Sequence, residues 1–145
     1  MPDLSAVWVR LAGALFGLCS DIFLAAVYMP PAGSMHLHHR ALTERMGAFC
    51  ASLVEAQAFG HVLVAGDFNA TVGALQDFNP STSAWLETTG LPVHRESFGD
   101  SPNLHGRLLT DACMRTGLVL SLGRLKGDCR VKPSFQQGSR HYHFL

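Results

Sequence analysis

The residues of this sequence best suited to chemistry lie close together in residues 61–70, HVLVAGDFNA. An apolar run leads to a glycine, then to a carboxylate at Asp67 and an amide at Asn69. In an extended chain, side chains two residues apart point to the same side. A carboxylate can orient or deprotonate a water molecule, and an amide can hydrogen-bond an oxygen that gains charge in a transition state. The pair therefore indicates hydrolysis of a charged ester, and its alternative is an Asx-type turn after a strand.

Three apolar runs predict the strands that position this pair. Residues 7–11 and 22–28 are rich in β-branched and aromatic side chains, which favours strands. Residues 62–65 form a continuous apolar run that ends at Gly66, which predicts a strand covered on both faces. Asp67 is therefore expected to follow a buried strand directly.

Two helices are predicted from apolar residues that recur every three or four positions. One covers about residues 38–58, and the other covers about residues 106–116 and is followed by Gly117. Residues 118–122 predict a further buried strand. Residues 75–102 contain many chain breakers, which predict irregular surface structure with one short helical turn. This mixture of strands and helices indicates an α+β protein.

The composition describes a globular protein. At 145 residues, with 48% apolar and 15% charged side chains, the chain fits one domain with a hydrophobic core and is not disordered. Basic and acidic side chains are equal in number, but residues 107–145 hold seven basic against two acidic residues, a net charge of +5. A solvated basic face and a contact with a polyanion both account for this excess.

The sequence predicts an intracellular protein, in the nucleus or the cytoplasm, that does not cross a membrane. The four cysteines contain no C-x-x-C pair, so neither a zinc knuckle nor a redox motif is present and reduced thiols are expected. The most apolar stretch, residues 11–29, is interrupted by Ser20 and Asp21. A charged side chain is costly in the middle of a bilayer, so this stretch does not predict a membrane span.

Several segments, taken in chain order, resemble the endonuclease/exonuclease/phosphatase family, and most closely the endonuclease domains of LINE-type retroelement reverse transcriptases. Residues 22–31, IFLAAVYMPP, are similar to a family strand that ends in tyrosine and prolines, and residues 62–69 are similar to the strand that ends in Gly-Asp-Phe-Asn. Residues 106–118 and 139–145 resemble a helix and the Ser-Arg-Ile-Asp segment of the retroelement domains. The resemblance spans nearly the whole chain.

The resemblance implies a fold and a reaction. The family fold is α+β, a two-sheet β-sandwich flanked by helices as in DNase I, and phosphodiester hydrolysis in the family uses a divalent metal, usually Mg²⁺. Carried over to this chain, Tyr28 contacts the scissile phosphate, Asp67 positions or activates the attacking water, and Asn69 hydrogen-bonds the phosphate. The resemblance therefore implies a metal-dependent endonuclease that acts on nucleic acid, with DNA as the favoured substrate.

Three further residues are candidate substrate contacts. Arg107 and Arg140 carry planar guanidinium groups that suit phosphate oxygens, and His143 lies where the family often has histidine or tyrosine. As alternatives, both arginines are ordinary surface residues, and the histidine is packed or exposed without such a role. Asn103 precedes the second predicted helix and is expected to be a cap or turn residue.

Several family residues have no counterpart in this chain. The metal-binding glutamate and the final Asp-His pair are absent, and Tyr142 stands where the Ser-Arg-Ile-Asp segment has its aspartate. Glu44 and Glu55 lie in the first predicted helix, so the metal ligands stay unknown. We expect residues 1–145 to be a single incomplete domain, an internal fragment that lacks the first and last strands of the sandwich and leaves an apolar sheet face uncovered.

Two functions follow from these observations. The first is a metal-dependent phosphodiesterase of the endonuclease type, impaired because the glutamate and the Asp-His pair are absent. The alternative is a catalytically inactive remnant, or a nucleic-acid-binding module, on the same scaffold. The sequence does not determine the oligomeric state.

Overall fold

The computed structural model describes residues 6–31, 39–96, 101–125, 135–137 and 140–142. The chain folds into two compact units, residues 1–68 and residues 69–145, which we call the N-terminal unit and the C-terminal unit. Both strands and helices are present, so the predicted α+β class is confirmed. The two-sheet sandwich of the DNase I type and the single incomplete domain stay predictions.

In the N-terminal unit, the part of the chain that the structure describes forms a three-stranded sheet with one long helix. Its elements are β1 (Ala6–Leu11), a short 3₁₀ helix (Gly13–Phe16), β2 (Asp21–Tyr28), α1 (His39–Gln57) and β3 (Gly60–Asp67). In the sheet order β1-β2-β3, the first two strands are antiparallel and the last two are parallel. Parallel neighbours need a crossover connection, which α1 supplies. The three strands and the helix predicted for this part of the sequence are confirmed.

Helix α1 covers one face of this sheet. The predicted apolar stripe is buried and consists of Leu42, Met46, Phe49 and Leu53. The centre of the Phe49 ring lies 6.4 Å from that of Trp8 in β1 and 6.1 Å from that of Phe68, just after β3. Complete burial of a large apolar side chain contributes about 1.5–3 kcal/mol, so each residue of this stripe stabilises the packing of α1 on the sheet.

The opposite face of the sheet is apolar and open to solvent. Val7 and Val9 of β1 and Leu63 of β3 are 57%, 47% and 58% exposed. Register brings them to one face, since Val9 lies opposite Leu24 and Leu24 lies opposite Leu63. Among the described residues this face is uncovered, as the sequence predicts, and its origin in missing strands of a sandwich stays a prediction. The prediction that the third strand is covered on both faces is wrong, because its side chains alternate between partly buried and exposed.

Gly66 allows β3 to approach β2 closely just before Asp67. Its φ is +152°, and a Cβ atom built there would lie 1.9 Å from the carbonyl oxygen of Val27. A real Cβ atom does not approach a carbonyl so closely, and the backbone conformation itself favours glycine. The glycine of HVLVAGDFNA is therefore required by the pairing of the two strands that carry Asp67 and Tyr28.

The described residues of the C-terminal unit form two helices and a short ribbon. The helices are α2 (Pro80–Thr89) and α3 (Leu104–Thr116), and the ribbon is an antiparallel pair, β4 (Phe135–Gln137) and β5 (Arg140–Tyr142). Helix α3 is followed by Gly117 in the left-handed conformation, as its sequence pattern predicts. The second predicted helix is therefore confirmed.

Helix α2 corrects the prediction of irregular structure over residues 75–102. The Oδ1 atom of Asn79 accepts a hydrogen bond from the backbone N–H of Thr82 at 3.1 Å, and Pro80 is the first helical residue. An asparagine cap followed by proline is a common start of a helix. The same residue types also occur in turns, so their presence alone does not distinguish a loop from the start of a ten-residue helix.

Residues 118–122 do not form the predicted strand. The backbone N–H of Leu120 donates to Oδ2 of Asp77 at 2.8 Å, and its carbonyl accepts from Nη1 of Arg124 at 2.6 Å. These side chains satisfy the backbone groups that a strand would pair with a neighbouring strand. The prediction is wrong because an apolar run does not reveal polar partners elsewhere in the chain.

Asp77, Arg95 and Arg124 form a buried ionic cluster in the C-terminal unit, with side chains at most 4% exposed. The Asp77 carboxylate lies 3.3 Å from Nε of Arg95 and 2.7 Å and 2.9 Å from the two terminal nitrogens of Arg124. The guanidinium groups also donate to backbone carbonyls of Gly73, Leu75, Pro92, Val93 and Leu120. Buried charges are tolerated when they are paired and hydrogen-bonded, so this cluster joins segments that have no regular structure.

Candidate functional site

Tyr28 and Asp67 lie side by side at the carboxyl ends of β2 and β3. They are register partners in the parallel pair, and the backbone N–H of Met29 donates to the carbonyl oxygen of Asp67 at 2.8 Å. Register partners on neighbouring strands point to the same face of a sheet. Two of the three residues predicted to act in catalysis therefore share one face at one edge of the N-terminal unit.

The neighbours of Tyr28 and Asp67 determine which face the pair uses. Phe68 is 2% exposed and packs against Phe49 of α1, whereas Val27 is 4% exposed. Since side chains alternate along a strand, the residue before Phe68 and the residue after Val27 point away from the helix. Tyr28 is accordingly 57% exposed and Asp67 is half-buried. The phenol and the carboxylate lie on the open face, where a substrate can reach them.

Asn69 does not continue the extended strand. Strand β3 ends at Asp67, and Asn69 adopts a left-handed backbone conformation with φ of +47°. Asparagine is one of the few residues other than glycine that adopts this conformation readily. The extended chain on which strand alternation depends therefore ends before Asn69, and the side to which its amide points stays a prediction. The direction of the Asn69 amide depends instead on what holds this turn.

Asn103 holds the chain around Asn69. Its Nδ2 atom donates to the carbonyl oxygen of Asn69 at 2.9 Å, and its Oδ1 atom accepts from the backbone N–H of Thr71 at 3.0 Å and of Gly106 at 2.8 Å. Its own backbone N–H donates to the Thr71 carbonyl at 3.0 Å. The predicted role of Asn103 as a helix cap is confirmed, and the contacts with residues 69 and 71 go beyond it. An asparagine just before a helix of apolar periodicity indicates the cap, but no sequence signal indicates the other contacts.

The predicted substrate contacts lie in the C-terminal unit. Arg107 is an exposed residue of α3, and Arg140 is the first residue of β5. His143, and the side chain of Arg140, lie outside the described residues. Their contact with a phosphate stays a prediction.

The described residues show no preformed ligand set for a Mg²⁺ ion. No three His, Cys, Asp or Glu side chains within them form a group that could hold a metal. Mg²⁺ demands near-octahedral oxygen ligation and is commonly bound by one or two carboxylates with waters and substrate phosphates. Glu44 and Glu55 are exposed residues of α1, which covers the opposite face of the sheet from Asp67. They do not complete a carboxylate set with Asp67.

A shifted pKa occurs at the opposite end of β2 from Tyr28. The Asp21 carboxylate accepts from the Gly13 backbone N–H at 3.0 Å and from Nε of Arg10 at 2.6 Å. These two bonds hold the pKa of Asp21 below its ordinary value, and the bond from Gly13 has the larger effect. The ion pair joins β1 to β2 beside the 3₁₀ helix, so its role is structural.

Comparison of the chain with protein-family models, with curated proteins and with solved structures finds no match. Among the described residues, no helix is long and apolar enough to cross a membrane.

Proposed function

We propose that this chain is a phosphodiesterase-type domain of the retroelement endonuclease kind, acting on nucleic acid and preferring DNA. The observation that carries the proposal is the pairing of Tyr28 with Asp67 on the open face of the sheet, at the carboxyl ends of two parallel strands. An acid beside a phenol on a solvent-accessible edge suits hydrolysis of a phosphodiester. The order of motifs along the sequence, tyrosine with prolines and then Gly-Asp-Phe-Asn, supports the same reaction.

Each residue has a chemical role in this proposal. The Asp67 carboxylate orients the attacking water and accepts its proton, and the Tyr28 hydroxyl donates a hydrogen bond to a non-bridging phosphate oxygen. The Asn69 amide, two residues further along the chain, donates to the oxygen that gains charge. Arg107, Arg140 and His143 are proposed to contact the phosphate backbone. The proposal keeps the dependence on Mg²⁺ that the resemblance implies, but the described residues supply no ligand set, so the ion enters only as a variable of the experiment.

A nicking assay on supercoiled plasmid DNA tests the proposal. With Mg²⁺ present, Asp67→Asn is expected to lower the rate at least about 100-fold, because general base catalysis contributes that much or more. Tyr28→Phe is expected to lower the rate about tenfold, which corresponds to one hydrogen bond to a charged group. A chelator should abolish nicking. Asp111→Asn is the matched control, since Asp111 is an exposed carboxylate in an ion pair with Arg115 and has no part in the proposed reaction.

The alternative is a catalytically inactive remnant or a nucleic-acid-binding module. It is favoured because the described residues contain no group of three metal-binding side chains, and because basic residues are in excess in 107–145. Binding that weakens steeply with salt, without nicking, would support the module and overturn the enzyme. If the nicking rate is the same in Asp67→Asn as in the wild-type protein, the proposed mechanism is also overturned. A protein that neither nicks nor binds DNA would favour the inactive remnant.

A further inference from the structure

The turn after β3 places one asparagine in an unusual backbone conformation. Among the described residues, Asn69 is the one residue other than glycine with a positive φ, +47°. The left-handed region is sparsely populated although asparagine adopts it more readily than most residues, so hydrogen bonds from neighbouring groups help to hold Asn69 there. Its surroundings in the C-terminal unit are therefore informative about how the Asn69 amide is directed.

The Asn103 side chain supplies three hydrogen bonds there. Its Oδ1 accepts from Gly106 and Thr71, and its Nδ2 donates to the Asn69 carbonyl at 2.9 Å. A helix cap requires only the bond from Oδ1 to the backbone of the first turn. The bonds to residues 69 and 71 are additional, and they hold the chain on both sides of Ala70. We call these three bonds the Asn103 brace.

The support for the Asn103 brace is rigid. Gly106, in the first turn of α3, packs so closely on the turn that an added Cβ atom would lie 1.9 Å from the carbonyl oxygen of Thr71. The Thr71 carbonyl also accepts from the Asn103 backbone N–H at 3.0 Å. The turn is thus held against the start of α3 by backbone contact as well as by the carboxamide, so a change confined to Nδ2 would release Asn69 without removing the helix.

We propose that Asn103 is a positioning residue for phosphodiester hydrolysis, because its carboxamide holds Asn69 in the left-handed conformation and so fixes the direction of the Asn69 amide. This inference rests on the proposed function for its catalytic consequence, while the brace itself is a property of the folded chain. Asn103 does not touch the substrate in this proposal. It acts through the carbonyl oxygen of Asn69.

Two substitutions separate positioning from capping. Asn103→Asp keeps the shape and the cap acceptor but replaces the donor to Asn69 by an oxygen, and Asn103→Ser keeps a cap acceptor without adding charge. Both are expected to lower kcat for plasmid nicking about tenfold or more with little change in KM, and to leave the helical circular dichroism signal in place. Asn79→Asp is the matched control, because Asn79 caps α2 in the same way and should leave kcat unchanged.

A double-mutant cycle gives a readout that a purely structural role would not change. Asn69→Gly removes the amide but tolerates the left-handed backbone. If Asn103 acts through Asn69, then Asn103→Ser should lower kcat further by less than about twofold in the Asn69→Gly background. If the losses of kcat in the two single variants add in the double variant, the proposal is overturned. Loss of activity in Asn103→Asp with none in Asn103→Ser would also overturn it, because charge repulsion would then be the cause.

Backbone NMR order parameters test the brace without any activity. In Asn103→Asp and in Asn103→Ser, the order parameters of residues 69 and 70 should fall from rigid to flexible values, while those of α3 stay high. Unchanged order parameters at Asn69 would overturn the brace even if nicking were lost. A wild-type protein that does not nick DNA would defeat the proposed function and the catalytic role of Asn103 together. The order parameters would then still decide whether the brace itself exists.

Discussion

Both units of this protein bury apolar side chains, and the C-terminal unit also contains a buried ionic cluster. In the N-terminal unit, apolar side chains at helical and strand spacing are buried between α1 and one sheet face, with Leu42, Phe49 and Leu53 at the centre. In the C-terminal unit, segments without regular structure are joined by charged groups, Asp77 with two arginines. Apolar burial depends on area, whereas hydrogen-bonded ions depend on the positions of a few atoms. The first kind of stability is visible in sequence periodicity and the second is not.

Removal of the Asp77 carboxylate is expected to have the largest effect and tests the dependence of the C-terminal unit on charge. Asp77→Ala leaves two buried guanidinium groups without their anion, which should lower the free energy of unfolding by about 3–5 kcal/mol. Denaturant unfolding followed by circular dichroism measures the loss. Asp111→Asn removes a carboxylate from an exposed ion pair with Arg115 and should cost about 0.5 kcal/mol or less. Equal losses in the two variants would mean that the buried cluster does not stabilise the unit.

Two leucines of the N-terminal unit sharpen the contrast between its covered face and its open face. Leu53→Ala removes a side chain of α1 that is 1% exposed and should lower the free energy of unfolding by about 2–5 kcal/mol. Leu63→Ala removes a side chain that is 58% exposed and should change it by about 0.5 kcal/mol or less. The same denaturant experiment measures both. A large loss in Leu63→Ala would indicate that the open face is covered in solution.

The Arg10–Asp21 pair gives the smallest expected effect, because it is exposed to solvent. Since the pKa of Asp21 is lowered by Gly13 and Arg10, the pair stabilises the fold above the ordinary pKa of 3.8, and this contribution is lost as the pH falls through the lower pKa of the folded state. Arg10→Gln should move the pKa of Asp21 back toward its ordinary value. A carboxyl NMR titration measures it. An unchanged pKa in the variant would mean that the Gly13 N–H alone causes the shift.

The sequence was sufficient for most of the N-terminal unit. Its three strands and α1 follow from local apolar patterns, and the pairing of Tyr28 with Asp67 agrees with the order of motifs along the chain. It was less informative for the C-terminal unit. The cap of α2 lies among residues that also form turns, and the apolar run at 118–122 is not a strand because Asp77, 43 residues from Leu120, satisfies its backbone N–H.

The sequence by itself determined where the apolar surface lies along the chain, and hence the strands and helix that bring Tyr28 and Asp67 to one sheet edge. The tertiary structure decided what residues far apart in the chain do to each other: Asn103 holds the left-handed turn at Asn69, 34 residues away, and the ionic cluster takes the place of a strand. The physical reason is the range of each interaction. Periodic burial acts between neighbours along an element, whereas a hydrogen bond to a distant backbone group exists only once the chain has folded.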